Sequence, residues 1–302
     1  MKLQYYTVDV FTKQQFGGNP LAVITDASGL SAKQMQLIAN EFNFSETAFV
    51  VQSNTKSGEY NVRIFTPQIE LPFAGHPTVG TAFTLGLHNR PKKSEKFTFH
   101  EEAGSFPVTL KWDKDNLRRC AFQAPQLPFR KEGQASPGLL AEVLGLDRSQ
   151  IQSSPFEPAI YSAGVPFAVI PVQSREALKN IALDLDRWQK ILQPTLFQNI
   201  YVVCPLDDSY REWAVRMFAP ALGVIEDPAT GAAATAFAGY LAEFTPATTD
   251  LSTVTIHQGA EINRPSTIYL NIERNGYTCS SVTVSGDCVL TAEGTFYLQS
   301  QD

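Results

Sequence analysis

The stretch from Glu70 to Leu87, ELPFAGHPTVGTAFTLGL, constrains the fold more than any other part of the chain. From Leu71 to Leu87 there is no Asp, Glu, Lys or Arg, and His76 is the only readily ionisable side chain. A helix starting near His76 presents Val79, Gly80, Ala82, Phe83, Leu85 and Leu87, apolar or small on every side. With no polar face, such a helix must be enclosed by protein all round. A membrane span needs roughly 18 or more apolar residues, and this run is shorter and broken by Thr and Gly. The pattern predicts a buried central helix, entered through a tight Gly75-His76-Pro77 turn.

The arrangement occurs twice. Arg63-Ile-Phe-Thr-Pro67 precedes the first helix, and Arg216-Met-Phe-Ala-Pro220 repeats its R-x-F-x-P pattern. Each is followed by E-x-P-x-x-G, first Glu70 to Gly75 and then Glu226 to Gly231, with a three-residue insertion in the second copy. After Gly231 comes AAATAFAGYLA, uncharged until Glu243. A repeat of half the chain predicts two similar domains, their helix starts related by a pseudo-twofold axis that pairs Gly75 with Gly231. The fold class expected is α+β, each domain a twisted sheet or barrel wrapped around a buried central helix.

The Pro-, Gly- and Gln-rich segment from Gln123 to Gly138 marks the crossing between domains. The tail from Thr253 to Leu298 alternates like strand, with turns expected at Asn275-Gly276 and Gly286-Asp287. It has more strands than the second half needs. The expected boundaries are 1–125, completed by about 286–302, and 126–285. Elsewhere, Ser31-x-x-Gln34 is a capping box, and Met35, Ile38, Ala39 and Phe42 then share one face of a surface helix ending at Asn43. Helices are expected over Glu176–Ile181 and Leu185–Leu192.

A length of 302 residues with 43% hydrophobic content supplies a core for each half. The net charge of −6 argues against a nucleic-acid partner, and the basic run Arg90–Lys96 reads as a solvated turn. The alternating start MKLQYYTVDVF lacks the apolar core of a signal peptide. Cys120, Cys204, Cys279 and Cys288 are scattered without C-x-x-C spacing. These features predict a cytoplasmic protein with reduced thiols and no membrane partner. No G-x-G-x-x-G, Walker A, H-E-x-x-H or G-x-S-x-G occurs, and His76, His88, His100 and His257 lack metal-ligand spacing. Neither a cofactor nor a metal is expected.

Two helix amino termini, each preceded by Gly, offer free backbone N–H groups and positive dipole ends suited to a carboxylate. A titratable group must still move a proton, and Glu46, His76 and Asp227 all stand at turns beside apolar segments. Each has a plainer alternative. Asp227 can cap its helix, His76 can be a hydrogen-bonded core histidine, and Glu46 can be an exposed loop carboxylate.

Asp9-Val-Phe-Thr12, Phe16-Gly-Gly-Asn-Pro20, Ser45-Glu-Thr47, Phe73-Ala-Gly-His-Pro-Thr78 and Glu226-Asp-Pro-Ala-Thr-Gly231 together resemble the signature of the phenazine-biosynthesis isomerase (PhzF-like) family. Gln258-Gly259 and Arg264-Pro-Ser266 extend the likeness into the tail. The resemblance implies a diaminopimelate-epimerase-like fold with a cleft between domains, and cofactor-independent isomerisation, usually in a homodimer. It implies that Glu46 moves a proton within a small carboxylate-bearing substrate, a dihydro-hydroxyanthranilate ring in the phenazine enzyme. His76 and Asp227 match the other catalytic positions, and Gly75, Gly231, Ala232 and Asn19 the substrate-binding ones. Ala232 departs from the Ser often found there, which removes a hydroxyl and puts the phenazine substrate in question. The rival readings are a two-base epimerase or racemase of an amino acid, and a binding or scaffold protein without turnover. Neither helix motif contains Cys, which disfavours two-thiol racemisation.

Overall fold

A computed structural model describes residues 1–88 and 95–299. The basic run read as a turn lies, from Arg90 to Ser94, outside the described residues. Two units emerge: Met1–Pro125 together with Ser285–Asp302, and Gln126–Val284. The first contains strands β1 (Lys2–Val10), β2 (Asn19–Ile24), β3 (Glu46–Asn54), β4 (Glu59–Phe65), β5 (Glu70–Leu71), β6 (Lys96–Glu101), β7 (Gly104–Asp113) and β8 (Asn116–Gln123), with helices α1 (Ala32–Phe42) and α2 (Gly75–His88). The second contains β9 (Phe129–Lys131), β10 (Ala159–Ser162), β11 (Pro166–Pro171), β12 (Ile200–Pro205), β13 (Glu212–Ala219), β14 (Val224–Asp227), β15 (Val254–Gln258) and β16 (Ser266–Asn275). Its helices are α3 (Pro137–Leu144), α4 (Arg175–Lys179), α5 (Leu185–Ile191) and α6 (Gly231–Phe244). The last strand, β17 (Thr278–Tyr297), starts in the second unit and ends in the first.

In the first unit β1, β2, β3, β4, β6, β7 and β8 pair in succession, and β17 pairs with both β8 and β1. The ring is thereby a closed eight-stranded barrel. Helix α2 runs inside it, against β1, β2, β3, β7 and β8, and is buried from Gly75 to Gly86. Gly80 is what lets it fit: a Cβ there would meet Leu21 at 2.6 Å and Val10 at 2.7 Å. Gly75, His76 and Pro77 form the first turn of the helix itself, rather than a turn leading into it.

Outside the ring, α1 lays Met35, Ile38 and Ala39 on Ile24, Phe49 and Phe65. Its start is set by the reciprocal Ser31–Gln34 capping box and its end by Asn43 in the left-handed conformation.

The second unit repeats these pairings. Strands β10–β11 and β12–β13 are antiparallel, β11–β12 and β13–β15 parallel, and β15–β16 antiparallel, each matching its counterpart in the first unit. Helix α6 packs against β9, β10, β11 and β16 and is buried almost throughout. The outer layer is thicker here: Leu140, Leu144, Leu178 and Trp188 pack on Ile170, Val202 and Phe218. Helix α4 is shorter than its sequence pattern, ending at Lys179.

The expected turn at Gly286-Asp287 is absent, because β17 runs through it unbroken. Gly286 serves close approach instead, since a Cβ there would stand 2.1 Å from the Phe11 ring. The four cysteines are free thiols. No helix among the described residues is long and apolar enough to cross a membrane.

The repeated motif residues bind each other. Arg63 Nε and Nη2 donate to the two Glu70 carboxylate oxygens at 2.6 and 2.7 Å, and Arg216 does the same to Glu226 at 2.9 and 2.8 Å. Each fork ties the end of the strand before the central helix to the segment that turns into it.

Candidate active site

In the first unit three elements bring polar side chains to the start of α2. Gly18, at φ +66°, turns the chain so tightly that a Cβ would lie 2.2 Å from the Val10 carbonyl oxygen. This turn delivers Asn19, fully buried, at the head of β2. Glu46 opens β3 one strand away, opposite Leu21. His76 occupies the first turn of α2 and is buried.

Ser45 Oγ donates to Asn19 Oδ1 at 2.9 Å, which leaves the amide nitrogen facing the imidazole. Asn19 Nδ2 lies 3.3 Å from His76 Nδ1 and donates to it, so the ring proton resides on Nε2. That nitrogen stands 3.4 Å from Glu46 Oε2. The polarity therefore runs one way, from Ser45 through Asn19 and His76 toward the carboxylate.

Burial pushes the imidazolium down to about 3, so His76 is neutral at physiological pH. The unfolded chain takes up this proton near pH 6.5 and the folded chain only near 3. Between those values unfolding consumes a proton, and stability falls as the pH falls. Relative to His76→Asn, wild type is expected to lose up to about 1.4 kcal/mol per pH unit across that window. Urea unfolding of both proteins at several pH values checks this, and a constant difference would refute it.

In the second unit the equivalent turn carries different chemistry. Asp227, buried, ends β14, and its Oδ2 accepts the Thr230 hydroxyl at 2.5 Å. Gln258 braces the turn: its Nε2 donates to the Asp227 carbonyl at 2.7 Å and to Thr230 Oγ1 at 3.0 Å, while its Oε1 accepts from the Thr230 amide at 3.3 Å. Gly231 begins α6, and Ala232 follows it half-buried. Tyr201, fully buried, has a hydroxyl without a hydrogen-bond partner among the described residues. Burial and the charge of Asp227 hold its phenol far above the ordinary value.

Strand register shows how far the two copies have diverged. Thr47 pairs with Phe65 and Ile200 with Phe218, the phenylalanines of the repeated R-x-F-x-P. Glu46 and Asn199, one residue earlier in each strand, thus hold equivalent positions. His76 corresponds to Ala232, and Asp227 to Leu71, by the E-x-P-x-x-G repeat. One unit holds a carboxylate and an imidazole, the other a single carboxylate at a different position.

Glu46, His76 and Asn19 are brought together, with Gly75 beside His76; Asp227, Gly231 and Ala232 form a second cluster. Sequence reading assigned no role to Tyr201, Gln258 or Glu101. Gln258 stood in the family-like Gln258-Gly259 pair, and Glu101 carried a local signal as the inward-facing residue after Phe97 and Phe99 in an alternating strand.

Residues 8–294 match the profile of the phenazine biosynthesis-like protein family. An uncharacterized isomerase of Mesorhizobium japonicum is 37% identical over 299 residues, covering 97% of this chain and 98% of the relative. The trans-2,3-dihydro-3-hydroxyanthranilate isomerase of Pseudomonas aeruginosa is 35% identical over 295 residues, covering 98% and 99%. The crystal structure of a Bacillus anthracis phenazine biosynthesis protein of the PhzF family superposes with a TM-score of 0.83 at 24% identity, over 99% of this chain and 100% of that one. With a matching profile, full-length relatives and a shared barrel around a buried helix, the chain belongs to the phenazine biosynthesis-like (PhzF) family.

Proposed function

We propose that this isomerase moves a proton within a small carboxylate-bearing substrate, with Glu46 as the acid/base group and no cofactor. The observation that carries the reading is the pairing of Glu46 with a neutral His76, set against Asn199 at the equivalent place in the other unit. Asn199 cannot titrate. One carboxyl group must then both collect the proton and return it, which suits a shift between two carbons better than a two-base inversion. His76 orients the substrate. The first amides of α2, from Gly75 on, lack intrahelical acceptors and suit its carboxylate.

A two-thiol epimerase mechanism is disfavoured by the cysteines themselves. Burial raises the thiol pKa of Cys120, Cys204, Cys279 and Cys288, that of Cys279 to about 11, which suppresses the thiolate such chemistry requires.

The test is incubation in deuterium oxide with trans-2,3-dihydro-3-hydroxyanthranilate, the compound named for the Pseudomonas relative, and with a panel of small cyclic carboxylates. Deuterium incorporation or isomer formation supports the reading, and neither with any compound sinks it. Ala232→Ser is expected to raise kcat/KM on the dihydro-hydroxyanthranilate by about 2- to 10-fold, the worth of one added hydrogen bond. An unchanged value would show that the family hydroxyl is not what separates this chain from the phenazine enzymes.

A further inference from the structure

Glu101 is a buried carboxyl group that the proposed reaction does not use. It ends β6 and lies against the first turn of α2. Thr78 Oγ1 sits 2.8 Å from the Ala74 carbonyl oxygen and 2.9 Å from Glu101 Oε1. A hydroxyl owns one hydrogen. That hydrogen is shared between the Ala74 carbonyl, which also accepts the Thr78 amide at 3.2 Å, and Glu101 Oε1, so an ionised Glu101 would have this hydroxyl as its one donor at most. The other oxygen, Oε2, is buried without a hydrogen-bond partner among the described residues. A carbonyl oxygen tolerates that far better than a bare carboxylate does.

Among the described residues, no cation is hydrogen-bonded to Glu101. Arg63 is engaged by both oxygens of Glu70, and His100 is bonded to Ser105 at 2.7 Å. Glu102 is exposed, the first turn of α2 presents the neutral His76, and Gly104 faces Glu101 from β7. Arg63, Glu70, His100, Glu101 and Glu102 line one cavity of about 340 Å³, which gives the proton a way to solvent.

The internal duplication supplies an independent reading of the same position. Asn61 pairs with His100 and Ala214 with His257, each pairing two residues before the repeat arginine. Glu101 and Gln258 are therefore equivalent. Gln258 holds the turn before α6 through its carbonyl and amide groups. A protonated Glu has the shape and the donor–acceptor character of Gln; an ionised one only accepts.

We propose that Glu101 is a positioning residue that works as a neutral carboxylic acid, the chemical counterpart of Gln258. On this assignment, loss of its proton unseats the first turn of α2, which carries Gly75 and His76. Burial, opposed by the Thr78 contact, raises its pKa to about 8. The folded chain keeps a proton that the unfolded chain releases near 4.5, so the stabilisation is full below 4.5 and is lost as pH rises through about 8.

Two measurements independent of turnover decide the assignment. The infrared carbonyl band of a protonated acid should be present in wild type at pH 6, fade with a midpoint of about 8, and be missing in Glu101→Gln. In urea unfolding, wild type should lose stability relative to Glu101→Gln over the same rise in pH. Gln258→Glu should import a similar alkaline loss into the second unit. A missing band, or a pH-independent difference from Glu101→Gln, overturns the proposal.

The positioning role rests on His76 being in the reaction and has its own readout. With the dihydro-hydroxyanthranilate as probe, Glu101→Ala should lower turnover and Glu101→Gln should restore it, extending it above the wild-type alkaline limit. Loss without rescue by Gln would show that the carboxyl itself is needed and overturn the role. Absence of turnover in wild type would count against the proposed function, while the infrared and unfolding results still decide the state of Glu101.

Discussion

Glu46→Gln is expected to abolish deuterium exchange into the substrate while leaving binding nearly intact. The side chain keeps its size, and its amide oxygen can still face His76 Nε2 across the 3.4 Å that separates the two groups. The half-buried Ser45 and the buried Asn19 and His76 keep the two hydrogen bonds that link them, because Glu46 is a partner in neither. An amide cannot carry a proton from one carbon to another. Positioned acid/base groups contribute about 10²–10⁴-fold, and that is the minimum loss in kcat expected here, with KM changed little. Exchange at the wild-type rate by a correctly folded variant would take the acid/base role away from Glu46.

The second large effect is on stability and separates the two copies of one motif. The Arg216–Glu226 fork is about as enclosed as an ion pair can be, with side chains 9% and 10% exposed. Arg216 Nη1 also donates to the carbonyls of Leu178, Lys179 and Ile181 at the end of α4. Arg216→Met would leave the Glu226 carboxylate buried without its partner and three carbonyls unsatisfied. A loss of about 3–5 kcal/mol follows.

The Arg63–Glu70 fork has the same geometry but is 33% and 31% exposed. Water can replace the missing partner there, and Arg63→Met should cost only about 0–1 kcal/mol. Chemical denaturation of the two variants makes the comparison. Equal losses would mean that geometry, and not enclosure, sets the worth of these pairs.

The features legible in the chain are those dictated by near neighbours. A helix without a polar face is buried wherever it ends up, so α2 and α6 could be read from composition along a single stretch. Ser31, Gln34 and Asn43 set the ends of α1 through contacts within four residues. The duplication was visible because R-x-F-x-P and E-x-P-x-x-G survive in both copies. The side chains of the candidate site could be named for a different reason, through motifs that resemble a known family.

What lay beyond the sequence is whatever depends on partners far away in the chain. Strand periodicity is the same for every partner, so nothing local says that β17 closes a ring with β1 and β8, or that Gly286 lies under Phe11 rather than in a turn. The pattern shows that Arg63 and Glu70 recur together; only the fold shows that they bind each other, and that the second pair is sealed by α4 while the first is open. Protonation is the sharpest case. Glu46, Glu70 and Glu101 are the same residue in the sequence. Tertiary structure sets one against a neutral imidazole, forks one onto an arginine, and buries one beside a single hydroxyl, because the free energy of a charge depends on the medium and partners around it and not on its chain neighbours.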